Sequence, residues 1–173
     1  MEIGDQAPEF VVPDQSGQMR SLAEFRGRPL VLFFYPRAST SGCTVEAQGF
    51  RDAAARFERA GVALVGASPD TVAAQKKFAE NERLPFPLLA DAEKQLCQAY
   101  GVLGEKSLYG HKYIGVVRTT VLIAADGRVA RVWAPVKPVG HAAEVLAALR
   151  ADGAPRVAAP AKPRGQKSQR GKA

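Results

Sequence analysis

The sequence predicts an α/β fold: a mixed central β-sheet with helices on both faces. Three observations carry that expectation. Residues 29–35 (PLVLFFY) and 62–68 (VALVGAS) are apolar runs, the pattern of strands buried on both faces. Segments of helical periodicity alternate with such runs, which implies parallel crossovers. Near the end, Asp126-Gly127 separates two apolar segments, a turn signal that adds antiparallel strands.

Each element has its own local reason. Phe10 to Val12 is followed by Asp14-Gln15-Ser16-Gly17, a turn composition, and then by a returning segment, so an N-terminal β-hairpin is expected. Residues 21–25 read as a short helical turn ended by Gly27. The run at 29–35 is a central strand ended by Pro36. From 44 to 60 the period is helical, with Val45, Phe50, Ala54 and Phe57 on one face and Glu46, Arg51, Asp52 and Arg56 elsewhere. Gly61 closes that helix. After the strand at 62–68, Asp70-Thr71 opens a helix to about Glu82, with Phe78 as its core anchor. Residues 86–89 form a short strand and 92–100 a short helix. The segments 116–124 and 129–133 flank the hairpin turn, with Trp133 packing at a strand end. Gly140-His141 opens a last helix through Arg150. Phe33, Phe34, Phe50, Phe57 and Phe78 read as core.

The length suits one domain, placed at 1–151, and the composition is that of a soluble globular protein. The apolar runs are too short to span a membrane, and the start of the chain has neither a basic patch nor an apolar signal core. A cytoplasmic protein without membrane association is expected. The net charge of +7 belongs to the end of the chain. Residues 154–173 hold Arg156, Lys162, Arg164, Lys167, Arg170 and Lys172 and no acid, which leaves 18 basic against 17 acidic residues in the rest. The tail at 152–173 is rich in Ala, Pro, Gly, Lys and Arg and is expected to be disordered.

There are two cysteines, Cys43 and Cys97. Neither has a second thiol or a histidine at ligand spacing, so neither a disulfide framework nor a zinc site is indicated. His111 and His141 also lack acidic or thiol partners at ligand spacing and read as surface or capping residues. Without a Gly-rich phosphate loop or other cofactor motif, no cofactor or metal is expected. Cys43 follows a buried strand and a turn and stands at the start of a helix. First-turn N–H groups and the positive end of the helix dipole favour an anion there, hence the nucleophilic thiolate. Taken alone, the position suits an inert buried thiol equally well.

The surrounding residues tip that balance. Pro36, Thr40 and Cys43 match the peroxiredoxin pattern Pro-x-x-x-Thr-x-x-Cys. Gly4-Asp5-x-Ala7-Pro8-x-Phe10, Leu22-x-x-Phe25-Arg26-Gly27-x-Pro29, Asp91, Tyr100-Gly101-Val102, Tyr109-Gly110 and residues 118–123 (RTTVLI) follow in family order. The chain resembles the bacterioferritin comigratory protein, or peroxiredoxin Q, subfamily over roughly residues 2–150. The resemblance implies a thioredoxin-like fold and a thiol peroxidase acting on hydrogen peroxide and organic hydroperoxides. It implies that Cys43 attacks the peroxide and becomes a sulfenic acid. Thr40 orients the peroxide, Pro36 shields the thiolate, and Arg118, the family's strand arginine, holds the thiolate and the departing oxygen. Backbone N–H groups of Gly42 and Cys43 complete the site. Glu46, one turn beyond Cys43, either supports the arginine or is an ordinary first-turn acid.

Two departures from the family stand out. Ser41 replaces a usual proline, which removes a fixed φ and eases unwinding of the loop. The resolving cysteines of the subfamily lie five residues after the first, here Gln48, or in the next helix near Phe78, here Ala79. Cys97 is then either a buried structural thiol or a resolving cysteine reached by local unfolding. In the first case the sulfenic acid is reduced by an external thiol: thioredoxin, glutaredoxin or a small thiol. Two other roles stay open: a sensor or relay that passes oxidation to a partner protein, and tethering to nucleic acid through the tail. Its six cations suit salt-sensitive contacts, although it has no aromatics for base stacking. A monomer is expected, with a dimer as the alternative.

Overall fold

The computed structural model describes residues 1–151; the tail read at 152–173 lies outside them. The chain opens with an antiparallel hairpin, β1 (Val11–Pro13) and β2 (Met19–Ser21). Its turn is built as its composition indicates. The Asp14 carboxylate accepts the N–H groups of Ser16 at 2.8 Å and Gln18 at 3.1 Å, and Gly17 takes a φ of +80° that a side chain would resist. Leu22–Phe25 adds one 3-10 turn.

The body alternates strands and helices. β3 (Leu30–Phe34) leads to α1 (Ser41–Arg59), β4 (Ala63–Ser68) to α2 (Val72–Glu82), and β5 (Leu88–Ala90) to α3 (Gln95–Ala99). A second hairpin follows, β6 (Leu103–Leu108) with β7 (His111–Val116). Then come β8 (Thr119–Ile123), β9 (Val129–Trp133) and α4 (His141–Ala151). The central sheet has the order β5-β4-β3-β8-β9, parallel at β3–β4 and β4–β5, antiparallel at β3–β8 and β8–β9. The expected mixed sheet is present.

Strand alternation sends β3 into two separate cores. Val31, Phe33 and Tyr35 join Cys43, Ala47, Phe50 and Phe57 of α1, Phe78 and Ala79 of α2, and Val145 and Leu149 of α4. Leu30, Leu32 and Phe34 join Phe10, Val12, and Leu96, Cys97 and Tyr100 on the opposite face. Both faces of the strand are therefore apolar, as a continuous run requires. Phe33 is the centre of the first core, stacked on Phe50 with ring centroids 4.5 Å apart and edge-on to Phe86 at 5.6 Å.

Four local expectations need correction. The helix expected from 44 starts at Ser41, because the first turn is held by the loop before it. Val45, expected in its apolar stripe, is 40% exposed, while Glu46, expected on the polar face, is buried. The stripe is instead Cys43, Glu46, Ala47, Phe50, Ala53 and Phe57. The strand expected over 116–124 is split: β7 ends at Val116 and β8 begins at Thr119. The β6–β7 hairpin is an element that the sequence pattern does not predict. Its turn is Tyr109-Gly110, both at positive φ (+49° and +79°), a geometry usually marked by Asn-Gly or Asp-Gly.

Candidate active site

β3 delivers the chain to the site. Beyond its end, the Tyr35 N–H donates to the Ala67 carbonyl at 3.0 Å. The loop at 36–40 then turns into α1. Pro36 is half-buried at its start, and Ser39 adopts a φ of +62°, uncommon for a residue with a side chain. The Ala38 N–H donates to Asp70 Oδ2 at 2.8 Å, and the Thr40 hydroxyl donates to the Arg37 carbonyl at 2.8 Å. Thr40 occupies the N-cap position with extended φ and ψ, but its side chain does not cap the helix. Its carbonyl accepts the Thr44 N–H at 2.9 Å. The Thr40 side chain is exposed, and its hydroxyl oxygen keeps lone pairs free to accept.

Cys43 lies in the first turn of α1, only 2% exposed. Arg118 reaches it from the other side of the sheet order. The sequence resemblance implied a strand arginine; Arg118 instead stands in the two-residue link between β7 and β8. That link is pinned on both sides. The Val117 N–H donates to the Val102 carbonyl at 2.8 Å, the Thr119 hydroxyl to the Val117 carbonyl at 2.7 Å, and the Val136 N–H to the Arg118 carbonyl at 2.9 Å. From there Arg118 Nη2 donates to Cys43 Sγ at 3.3 Å, and Nη1 donates to Glu46 Oε2. Gly42 makes room for this: a Cβ at that position would lie 3.2 Å from Arg118 Nη2 and 3.6 Å from Pro138 Cγ.

The charges at the site follow from burial. Glu46 is 1% exposed, and its buried Oε1 has no hydrogen-bond partner among the described residues. Burial pushes its carboxyl up to about 7 against the pull of Arg118. Burial also works against the Arg118 charge, but Glu46 and Cys43 more than offset it and hold its proton more tightly than usual. Lys106 of β6, which the sequence reading did not single out, stands within electrostatic reach: burial and Arg118 lower its pKa, and Cys43 opposes them. The signal that could have found it is weak, since a lysine in a short hairpin reads as solvated.

His141 also departs from its expected surface or capping role. It is buried at the start of α4, with Nε2 2.7 Å from Thr120 Oγ1 and Nδ1 3.3 Å from Glu144 Oε2. Its ring stands edge-on to Phe50 and Trp133. Burial lowers its pKa, with Glu144 opposing. It welds α4 to β8 two residues beyond Arg118. Among the described residues, no cluster of three or more His, Cys, Asp and Glu side chains could hold a metal ion, and no helix is long and apolar enough to cross a membrane.

Cys97 is not brought to this site. It belongs to the second core, on the opposite face of the central sheet from Cys43, and both thiols are free. The Cys97 N–H donates to Asp91 Oδ2 at 2.8 Å, and burial pushes its thiol up. Gln48 donates to Glu82 Oε2 at 2.8 Å and so ties α1 to α2. A groove of about 280 Å³ opens between α1 and α4, lined by Val45, Gly49, Pro138 and Leu146 and by the charged Asp52 and Arg56.

Chemically, the arrangement is a buried nucleophile at a helix N-terminus, touched by one arm of a guanidinium whose other arm is anchored. It can hold a sulfur anion and stabilise charge on an oxygen leaving it.

A sequence model of the AhpC/TSA family matches residues 3–132, a span that includes Cys43 and Arg118. A putative peroxiredoxin bcp of Coxiella burnetii is 44% identical over 149 residues, 86% of this chain and 99% of that protein. Peroxiredoxin Bcp of Escherichia coli is 42% identical over 146 residues, 84% of this chain and 94% of that protein. Among solved structures, the Xanthomonas campestris bacterioferritin comigratory protein, studied for its alkyl peroxide reduction activity in trapped intermediate and ligand complexes, has a TM-score of 0.81 at 35% identity. The similarity covers 88% of this chain and 97% of that one. BcpB of Mycobacterium tuberculosis has a TM-score of 0.78 at 42% identity, over 87% and 97%. The chain belongs to the AhpC/TSA family and, within it, to the bacterioferritin comigratory protein and peroxiredoxin Q peroxiredoxins: it is a thiol peroxidase of thioredoxin-like fold.

Proposed function

We propose that Cys43 is the peroxide-attacking residue of a one-cysteine cycle that an external thiol completes. The observation that carries this is the Arg118 Nη2 to Cys43 Sγ contact of 3.3 Å in the first turn of α1. The Cys43 thiolate attacks the terminal oxygen of the hydroperoxide. An S–O bond forms, the O–O bond breaks, and the sulfur is oxidised to a sulfenic acid as the peroxide is reduced to an alcohol or water. Arg118 stabilises the thiolate before the attack and the departing oxygen during it. Thr40 accepts the peroxide hydroxyl proton in a hydrogen bond and orients it. Pro36 covers the approach, Gly42 leaves space for the guanidinium, and Glu46 anchors it. A thiol then displaces water from the sulfenic acid to form a mixed disulfide, and a second thiol releases Cys43.

The packing of Cys97 in the other core supports an outside thiol for the second step. Thioredoxin, glutaredoxin and a small thiol all supply that chemistry. The test is intact-protein mass spectrometry of wild type and Cys97→Ser after one equivalent of hydrogen peroxide, with a sulfenic-acid trap present. A trapped Cys43 adduct in both proteins is the expected result. Loss of two hydrogens in wild type without an adduct would make Cys97 the resolving cysteine. An unoxidised Cys43 in both would end the peroxidase assignment of this residue.

A further inference from the structure

The β6–β7 hairpin leads into the link that carries Arg118, and its two faces differ. Leu103 and Val116 form one register pair and pack into the second core with Cys97. Alternation puts Gly104, Lys106, Tyr113 and Gly115 on the other face, with Gly104 opposite Gly115 and Lys106 opposite Tyr113. Gly115, three residues before Arg118, is the floor of that face. A Cβ there would lie 3.1 Å from the Tyr113 ring and 3.3 Å from Lys106 Cδ. The lysine stem and the tyrosine ring therefore lie back over bare backbone, toward the base of the hairpin and Arg118. At Gly104 a Cβ would come within 2.8 Å of Val117 Cγ2, on the residue next to Arg118. The result is a half-buried ammonium beside the site. Lys112, on the opposite face, pairs with Glu105 at 3.3 Å. Lys106 has no ion pair among the described residues. Burial and Arg118 lower its pKa, and Cys43 opposes them. A partly desolvated cation beside a second cation is unfavourable until an anion meets it. Once Cys43 is oxidised to a sulfenic acid, the thiolate that both cations face is gone.

We propose that Lys106 selects the reducing thiol, favouring a small thiol that carries a carboxylate near its sulfur. The inference rests on the reading of Cys43 as a nucleophile reduced by an external thiol. That thiol attacks as its thiolate. An S–S bond forms, the S–O bond of the sulfenic acid breaks, and the departing hydroxide takes a proton and leaves as water. The sulfenic sulfur is reduced and the thiol sulfur is oxidised. Lys106 stands outside the bonds being made, so its charge acts on the whole incoming molecule. A thiolate with a carboxylate brings two negative charges, one with a hydroxyl brings one, and one with an ammonium brings no net charge. The flexible lysine stem lets the ammonium follow the carboxylate, which the anchored guanidinium of Arg118 cannot do.

The experiment compares wild type, Lys106→Gln, Lys106→Glu and Lys106→Arg, with thermal midpoints to show that each variant is folded. Preformed sulfenic acid is reduced by 3-mercaptopropionate, 2-mercaptoethanol or cysteamine. Each variant rate is divided by the wild-type rate with the same thiol, so the thiol's own acidity cancels. Lys106→Gln is expected to slow 3-mercaptopropionate about fivefold, the upper end for one solvent-facing charge pair. It should slow 2-mercaptoethanol less and cysteamine least. Lys106→Glu should widen that spread, and Lys106→Arg should keep the wild-type order. Sodium chloride at about 0.5 M should erase most of the spread, since it screens charge and leaves packing alone. The proposal is overturned if Lys106→Gln lowers all three rates by one factor, if no rate moves in a folded variant, or if high salt leaves the spread intact. A wild-type Cys43 that forms no sulfenic acid with hydrogen peroxide would instead defeat the functional reading beneath it.

Discussion

At Arg118 one planar fork serves two acceptors, Cys43 Sγ through Nη2 and Glu46 Oε2 through Nη1. A lysine ammonium is a point charge on a flexible stem and cannot hold both in fixed directions. Arg118→Lys is expected to slow the single-turnover reaction with hydrogen peroxide by about 10²–10³, the scale of losing one preorganised donor; a rate near wild type would contradict this. Glu46 makes a separate prediction. Its carboxyl is raised to about 7 from an ordinary 4.5, so the folded protein keeps a proton that the unfolded chain has released. That contribution is fully present below the unfolded value and is lost as pH rises through about 7. At roughly 1.4 kcal/mol per unit, a rise from 4.5 to about 7 amounts to about 3–4 kcal/mol. Glu46→Gln stays neutral and should gain stability over wild type between pH 5 and pH 8, read as the difference in urea midpoints. His141 has the opposite sign, since its lowered pKa stabilises above the ordinary histidine value and is lost on acidification, and it cancels in that difference. Cys43, Thr40 and Arg118 were legible because their spacing matches a family pattern. The burial of Glu46 and His141 was not, because each is carried inside by a partner distant in sequence, Arg118 and Thr120.

At the level of elements, the strands were easier to read than the helix faces. The run at 29–35 became β3 almost unchanged, because burial on both sides leaves no alternation to misjudge. In α1 the buried position is Glu46 and not Val45, since helical periodicity sees the apolar residue and not the contact with Arg118 that takes an acid inward. The β6–β7 hairpin escaped because Tyr109, 94% exposed at the turn, is not a usual turn residue. Within the sheet, Gly66 of β4 sits opposite Phe33 of β3, and a Cβ there would come within 2.8 Å of both Phe33 Cζ and Leu88 Cδ2. Phe33 is already locked between Phe50 and Phe86 and has little room to yield. Gly66→Ala should therefore lower stability by about 1–3 kcal/mol, the range for overpacking. An unchanged denaturant midpoint would show that the rings can shift.

For the molecule as a whole, the sheet is a partition. Everything the proposed peroxide chemistry uses lies on or above one face, with α1, α4 and the links before β8. Cys97 lies under the other face, among Phe10, Leu96 and Tyr100. The presence of two thiols could be read from the sequence, but their separation could not, because it follows from which side of β3 each helix covers.

That partition gives the protein two clocks of different kind. Cys43, in the first turn of α1, is expected to meet a labelling reagent through local opening, and Cys97, packed under the sheet, through global unfolding. Pulse alkylation across a urea series should therefore report local opening from one cysteine and global unfolding from the other, in the same tube. Cys97 labelling is expected to follow the circular-dichroism transition, with Cys43 labelling well ahead of it. If the two cysteines were labelled in step, loop and sheet would be a single cooperative unit.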